Sequence, residues 1–296
     1  MITIFTPTYN RESTLLRLYK SLIAQTMHEF EWIIIDDGSE DNTENIVAEF
    51  SANDNPFEIT YKKKANGGKH RAINDGVKLA KYNWFFCVDS DDYIIENAIE
   101  LVLEWINSIK DDNSFAGVAG LRGYISKDEK IGEYPSNKKY SKCIDATNLQ
   151  RRKYQLLGDK AEIYRTEIMI KYPFPEFEGE NFLSEAVVWD SIAKAGYKLR
   201  WYNNIIYKCE YLPDGLTNSG INNVVKNFQG FSLYSMSKIA TSGWLMKQSE
   251  IEIYLRVAKA KGLSPKVAAE NIGLSYRKTY IPRLIGVGKR LVKKMK

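Results

Sequence analysis

The chain has 296 residues, 44% of them hydrophobic and 27% charged, which describes an ordinary soluble protein long enough to bury a large core. Three scattered cysteines (Cys87, Cys143, Cys209) argue against a zinc site or a disulfide framework, and with only His28 and His70 an imidazole-rich metal site is excluded and a Ser-His-Asp triad disfavoured. The net charge of +5 is modest, no apolar stretch approaches the ~20 residues of a membrane span, and the N-terminus opens as a strand without a basic leader, so a cytoplasmic protein is expected.

Residues 1–6 form a short β-rich run, followed by Pro7-Thr8-Tyr9-Asn10 and a 3.6-residue apolar pattern through Leu15, Leu18 and Leu22. A second buried run, 32–35, closes on Asp36-Asp37-Gly38-Ser39, and Asp41-Asn42-Thr43-Glu44 has the spacing of a capped helix start. Residues 57–61 read as a third strand, and Asn66-Gly67-Gly68-Lys69 as a flexible turn before a helix. The fourth strand, 84–88, is a run of large apolar residues that ends abruptly in Asp89, Asp91 and Asp92. Strands alternating with helices imply an α/β fold with a mostly parallel, doubly wound sheet, whose ligands bind beyond the carboxyl ends of the strands. That rule gathers Thr8, Tyr9, Asp36, Asp37, Lys69 and residues 89–92 along one edge.

Three carboxylates at the end of a buried strand repel one another unless a cation sits among them, and the oxygen-seeking candidates are Mg²⁺, Mn²⁺ and Ca²⁺. Two other accounts fit the same residues. A solvated turn with Asp92 near a helix N-cap is the default for a lone D-x-D. Asp89, Asp91 and Glu100 also fall at positions one, three and twelve of an EF-hand, but Ile94 stands where its glycine belongs and a strand precedes the loop.

Farther on, 98–109 is an amphipathic helix, 115–124 a strand, and 125–143 a polar, lysine-rich surface loop. Residues 149–157 read as a helix and 158–164 as a turn into a strand, with Asp159 in the turn. A helix from Ser184 carries Glu185 in its first turn. Extended runs at 199–202 and 205–209 follow, and the turn at 213–217 marks a boundary, giving a body of 1–215 and a helical extension of 216–296. The end of that extension, 276–296, interleaves basic and apolar residues, as a helix lying on an anionic membrane surface would, or one meeting a partner protein. No nucleic-acid recognition motif accompanies the charge.

TPTYNR, IDDGSEDNT, NGGKHRAINDG and VDSDD, in this order over the first ~100 residues, resemble the nucleotide-sugar-binding half of a family 2 glycosyltransferase with the GT-A fold. The resemblance implies a nucleoside-diphosphate-sugar donor, usually a UDP-sugar, a divalent cation (Mn²⁺ or Mg²⁺), and inverting transfer to a glycan or lipid-linked acceptor, as in bacterial surface polysaccharides. Residues 1–100 would be the donor half and 101–215 the acceptor side. By the same resemblance Thr8, Tyr9 and Asp37 hold uracil and ribose, Lys69 faces the diphosphate, Asp89 opens the D-x-D, Asp91 touches ribose and metal, and Asp92 holds the metal. Asp159 lies on the acceptor side, and Glu185, four residues before Trp189, is the catalytic base. The chemistry agrees: a carboxylate can accept the uracil N3 proton, and a lysine after two glycines can approach phosphate closely. Nucleotidyl transfer is the runner-up, though the Gly-rich loop expected after its first strand is missing. A non-catalytic nucleotide-sugar-binding module is the alternative of a different class.

Overall fold

The computed structural model describes residues 1–127, 129–137, 142–210, 220–282 and 284. The chain forms two compact units, Met1–Phe174 with Val188–Leu212, and Pro175–Val187 with Pro213–Lys296. The second therefore takes in a stretch from the middle of the chain.

In chain order the elements up to residue 209 are β1 (Ile2–Thr8), α1 (Leu15–Ile23), β2 (Phe30–Asp36), α2 (Thr43–Ala52), β3 (Ile59–Lys63), α3 (Lys69–Leu79), β4 (Trp84–Cys87), β5 (Tyr93–Ile94), α4 (Ala98–Asn107), β6 (Phe115–Tyr124), β7 (Cys143–Ala146), β8 (Lys160–Arg165), α5 (Thr166–Lys171), α6 (Ala186–Lys194) and β9 (Lys198–Cys209). One sheet runs β3-β2-β1-β4-β8-β6-β9-β5, with β7 on β9. Its first four strands are mutually parallel. β8 then enters antiparallel between β4 and β6, so the sheet is mixed beyond β4. β1 and β2 are buried at every position, which explains their unbroken apolar runs. Beneath them Ile4, Leu18, Trp32, Phe86, Val102 and Ile163 share one core.

Three local expectations change. The helix expected over 149–157 is a single 3₁₀ turn, Asn148–Gln150, because the chain turns off through Gln155 in the left-handed region (φ 54°). The runs 199–202 and 205–209 are one strand, β9, whose register against β6 slips between Trp201 and Ile205, the mark of a bulge. In the loop expected at the surface, Ile131 and Tyr134 are buried, and the Tyr134 hydroxyl donates to the Trp201 carbonyl (3.2 Å).

The second unit holds α7 (Gly220–Lys226), α8 (Phe228–Thr241), α9 (Trp244–Ala260) and α10 (Pro265–Asn271) around Phe228, Ile251, Tyr254 and Val257. The loop at 180–182 is stitched to α8. Both Glu180 oxygens accept backbone N–H groups at the start of that helix, Gln229 (2.7 Å) and Gly230 (2.9 Å), while Asn227 Oδ1 accepts from the amides of Asn181 and Phe182. A carboxylate there satisfies orphan amides and meets the positive end of the helix dipole. The boundary turn at 213–217 and most of the basic tail, 285–296, lie outside the described residues. Among the described residues no helix is long and apolar enough to cross a membrane.

Candidate active site

Parallel pairing of β2, β1 and β4 brings their carboxyl ends to one edge, with Thr8 opposite Asp36. The turns leaving β1 and β2 satisfy each other's backbone. The Asn10 amide donates to Ser39 Oγ (2.9 Å), the Glu40 amide to Asn10 Oδ1 (2.8 Å), the Arg11 amide to Thr43 Oγ1 (3.2 Å), and the Asn42 amide to a Glu12 oxygen (2.9 Å). TPTYNR and IDDGSEDNT are two halves of one hydrogen-bonded structure.

Asp37, just past β2, accepts the amides of Gly67 (2.9 Å) and Gly68 (2.6 Å), one on each oxygen, with Lys64 Nζ 3.6 Å away. Gly68 has a φ of 93°, a conformation that favours glycine, and it delivers Lys69 as the first residue of α3. Asp37 thus shapes the turn that presents Lys69, and each of its oxygens keeps a lone pair for a further donor. Asp36 is fully buried and structural, accepting from the Ser39 amide (2.7 Å) and the Tyr61 hydroxyl (2.6 Å). Thr8 Oγ1 is buried without a hydrogen-bond partner among the described residues, and Tyr9 beside it is 45% exposed.

At the acidic tip Lys69 Nζ lies 2.6 Å from Asp89, and Arg122, from β6, lies 3.7 Å from Asp89 and 3.9 Å from Asp92. The Tyr207 hydroxyl, from β9, donates to Asp92 Oδ2 (2.7 Å) and accepts from the Asp89 amide (2.9 Å), while the Arg122 guanidinium covers its ring at 4.2 Å. Arg11 stands 3.6 Å from Asp91. Burial raises the pKa of all three carboxyls, but for Asp89 the Lys69 and Arg122 charges outweigh it and the group is held below the usual range. Burial and the Asp89 charge push Asp92 up to about 7, and they raise Asp91 against the pull of Arg11. Burial and mutual repulsion thus disfavour the ionised forms of Asp91 and Asp92, which an added cation would favour. Hard oxygen donors of this kind suit Mg²⁺ or Mn²⁺. Among the described residues no three metal-ligating side chains stand together, so Asp91 and Asp92 would hold the ion jointly with substrate phosphate oxygens, the usual arrangement for Mg²⁺.

The structure removes the two rival accounts of the tip. Helix α4 starts at Ala98 with Asn97 in the cap position, so Asp92 caps no helix, and β5 fills the middle of what would be an EF-hand loop.

Asp159 stands just before β8. Burial first, then the Asp92 charge and to a lesser degree that of Asp159, push the Cys209 thiol up to about 12. Next to Asp159, Lys160 is 2% exposed, and its ammonium donates to the Leu157 carbonyl (2.7 Å). Burial, reinforced by the Arg151 charge, lowers its pKa to about 8. A lysine whose folded pKa lies below its unfolded value of 10.5 leaves the unfolded chain binding more protons between those two values, so this group's contribution to stability rises with pH from about 8 to 10.5. Lys160→Met should lack that rise: relative to the variant, the wild type gains stability across that window in melting curves. A constant difference in melting temperature would refute the buried, charge-averse lysine.

Glu185 immediately precedes α6, which begins at Ala186, two residues later than expected, and it belongs to the second compact unit. Four residues on, Trp189 stacks on Tyr164 of β8 at 4.2 Å and meets Phe174 edge-on. Sequence reading missed Arg122, Tyr207 and Arg11. A lone arginine within the otherwise apolar and glycine-rich run FAGVAGLRGY, and the arginine closing TPTYNR, were available as signals, whereas Tyr207 had none.

Thr8, Asp37, Lys69 and the acidic residues that follow β4 come together at one edge of the sheet of an α/β protein. The family itself is settled by comparison: the description "Glycosyl transferase family 2" matches residues 3–171, more than half of the chain, and the chain belongs to that family. Glycosyltransferase GlyG of Streptococcus pneumoniae serotype 4 is 31% identical over 134 residues, 45% of this chain and 42% of that protein. The poly-beta-1,6-N-acetyl-D-glucosamine synthase of Staphylococcus aureus is 30% identical over 132 residues, 45% of this chain and 31% of that protein. The chain spans less than half the length of these curated relatives. Among solved structures, S. aureus TarS 1-349 in complex with UDP-GlcNAc superposes with a TM-score of 0.63 at 16% identity, covering 98% of this chain and 91% of that one. A Pyrobaculum calidifontis mannosyltransferase in complex with GDP-Man and Mn²⁺ gives a TM-score of 0.56 at 16% identity over 100% and 88%. The fold is GT-A, with a helical C-terminal region.

Proposed function

We propose that the chain transfers a hexose or N-acetylhexosamine from a UDP-sugar to a hydroxyl of a glycan or lipid-linked acceptor, with inversion, in surface-polysaccharide synthesis on the cytoplasmic side. The observation that carries this reading is the acidic tip of β4 lying beside Lys69 on the edge that Thr8 and Asp37 share. Relatives named as polysaccharide synthases and a fold neighbour holding UDP-GlcNAc support the class of donor and product.

In this reading Tyr9 lies against the uracil, Asp37 accepts its N3 proton, and Thr8 Oγ1 takes a ribose or base polar atom. Lys69 faces the departing diphosphate while Asp89 holds its ammonium in place. Asp91 and Asp92 would hold a divalent cation, which when bound would supply neutralising charge to the same leaving group. Glu185 takes the proton of the acceptor hydroxyl as that oxygen attacks the anomeric carbon. Asp159 is the acceptor-side carboxylate that receives a sugar hydroxyl.

The test is a panel of UDP-glucose, UDP-galactose, their N-acetyl forms and GDP-mannose, with and without Mn²⁺, scored by nucleoside diphosphate released. UDP release that needs metal is the expected result; release of GDP alone would overturn the uridine assignment, and no release from any donor would favour a binding module. Within the same reading, Asp37→Ala should weaken UDP by about 1.5 to 3 kcal/mol, the worth of a charged hydrogen bond. Because Asp37 also fixes the turn before Lys69, calorimetry with uridine, which carries no phosphate, isolates the base contact. Unchanged uridine affinity would remove Asp37 from it.

A further inference from the structure

The second unit exposes apolar side chains where its own core has no use for them. At the start of α9, Trp244 is 62% exposed, Leu245 75% and Met246 38%, three consecutive residues at the tip of the α8–α9 hairpin. A second exposed set, Tyr276, Tyr280, Ile281 and Leu284, repeats at four-, five- and eight-residue spacing, one face of a helical path. Singly exposed apolar residues are ordinary, but contiguous ones mark a contact surface.

The sequence that carries them is basic overall. Residues 213–296 carry fifteen Lys and Arg against four Asp and Glu, whereas 1–212 carry twenty-seven against thirty-three. From 215 to 249, the stretch that contains α8 and the tip, there is no acidic residue, while Lys226, Lys238 and Lys247 are present. With the four glutamates of 175–187 counted, the second unit carries fifteen Lys and Arg against eight Asp and Glu, an excess of seven positive charges that makes a second copy of the same unit a repulsive partner. Nucleic acid would satisfy the charge but would leave Leu245, Met246, Ile281 and Leu284 in water, since phosphate and sugar offer them nothing. An anionic lipid surface satisfies both features: headgroups take the lysines, and the acyl boundary takes the aromatic and aliphatic tips.

We infer that the tip of the α8–α9 hairpin, Trp244-Leu245-Met246, docks the chain onto an anionic lipid surface. The inference stands on exposure and charge in the second unit and is independent of the donor and of the catalytic residues.

Flotation of the full chain with phosphatidylcholine vesicles, with and without phosphatidylglycerol, at low and high salt, tests it. The wild type should float only with the anionic vesicles and be released by salt. Trp244→Ser with Leu245→Ser should weaken that partition by ~10-fold or more with an unchanged thermal melt, because the lysines remain but the inserting groups are gone. Ile170→Ser, which removes an equally exposed apolar side chain (61%) from the first unit, should leave it unchanged. Failure of the wild type to float, or equal flotation of the double variant, would overturn the assignment. So would a wild-type dimer, without flotation, that the double variant dissolves, since the tip would then belong to a second copy.

Discussion

Asp92→Asn is expected to abolish turnover while leaving the fold intact. The Asn side-chain oxygen still accepts the Tyr207 hydroxyl that now reaches Asp92 at 2.7 Å, so the link between the acidic tip and β9 survives. What is lost is one of only two carboxylates proposed for the metal, at a place where burial and the Asp89 charge already disfavour its ionised form and a cation would favour it. With Asp91 the single carboxylate left, the ion would be held more weakly beside the phosphates, and rates should fall as its charge no longer offsets that of the leaving diphosphate. Calorimetry separates this from a folding defect: UDP should bind the variant more weakly than the wild type with Mn²⁺ present and about equally without it. EDTA should inhibit the wild type reversibly. Full activity of the wild type in excess EDTA, or metal-dependent UDP binding undiminished in the variant, would end the metal assignment.

Glu185→Gln is expected to lower the turnover rate by ~100-fold or more, the usual scale for loss of a general base, with little change in donor affinity. In the proposed inverting transfer a carboxylate is needed on the acceptor side, and Asp89, Asp91 and Asp92 belong to the tip. Three of the other acidic residues of 159–190 are engaged or buried. Glu180 is occupied with the amides of Gln229 and Gly230 at the start of α8, Glu162 lies 3.9 Å from Arg151, and Asp190 is buried. Glu185 stands immediately before α6, in which Trp189 is stacked on Tyr164. Glu180→Gln gives the contrast. Losing the charge at a helix N-terminus should lower the melting temperature, and any rate loss should track stability. If Glu185→Gln turns over normally while Asp159→Asn loses the rate, the base is Asp159.

Sequence alone determined the first four strands and the residues at their carboxyl ends. Unbroken apolar runs encode burial on both faces, and strands alternating with helices leave parallel pairing as the available arrangement, so Thr8, Asp37, Lys69 and the acidic tip had to share an edge. Burial and periodicity are local signals, and they say nothing about which later strand becomes a neighbour. Only the tertiary structure decided that β8 enters antiparallel beside β4, carrying β6 and β9 into place, and hence that Arg122 and Tyr207 stand behind Asp89 and Asp92 from 30 and more residues away. The same holds for Glu180. In sequence it is one of several loop glutamates, and its partners, the amides of Gln229 and Gly230, are 49 and 50 residues distant and become unsatisfied donors only once α8 has formed.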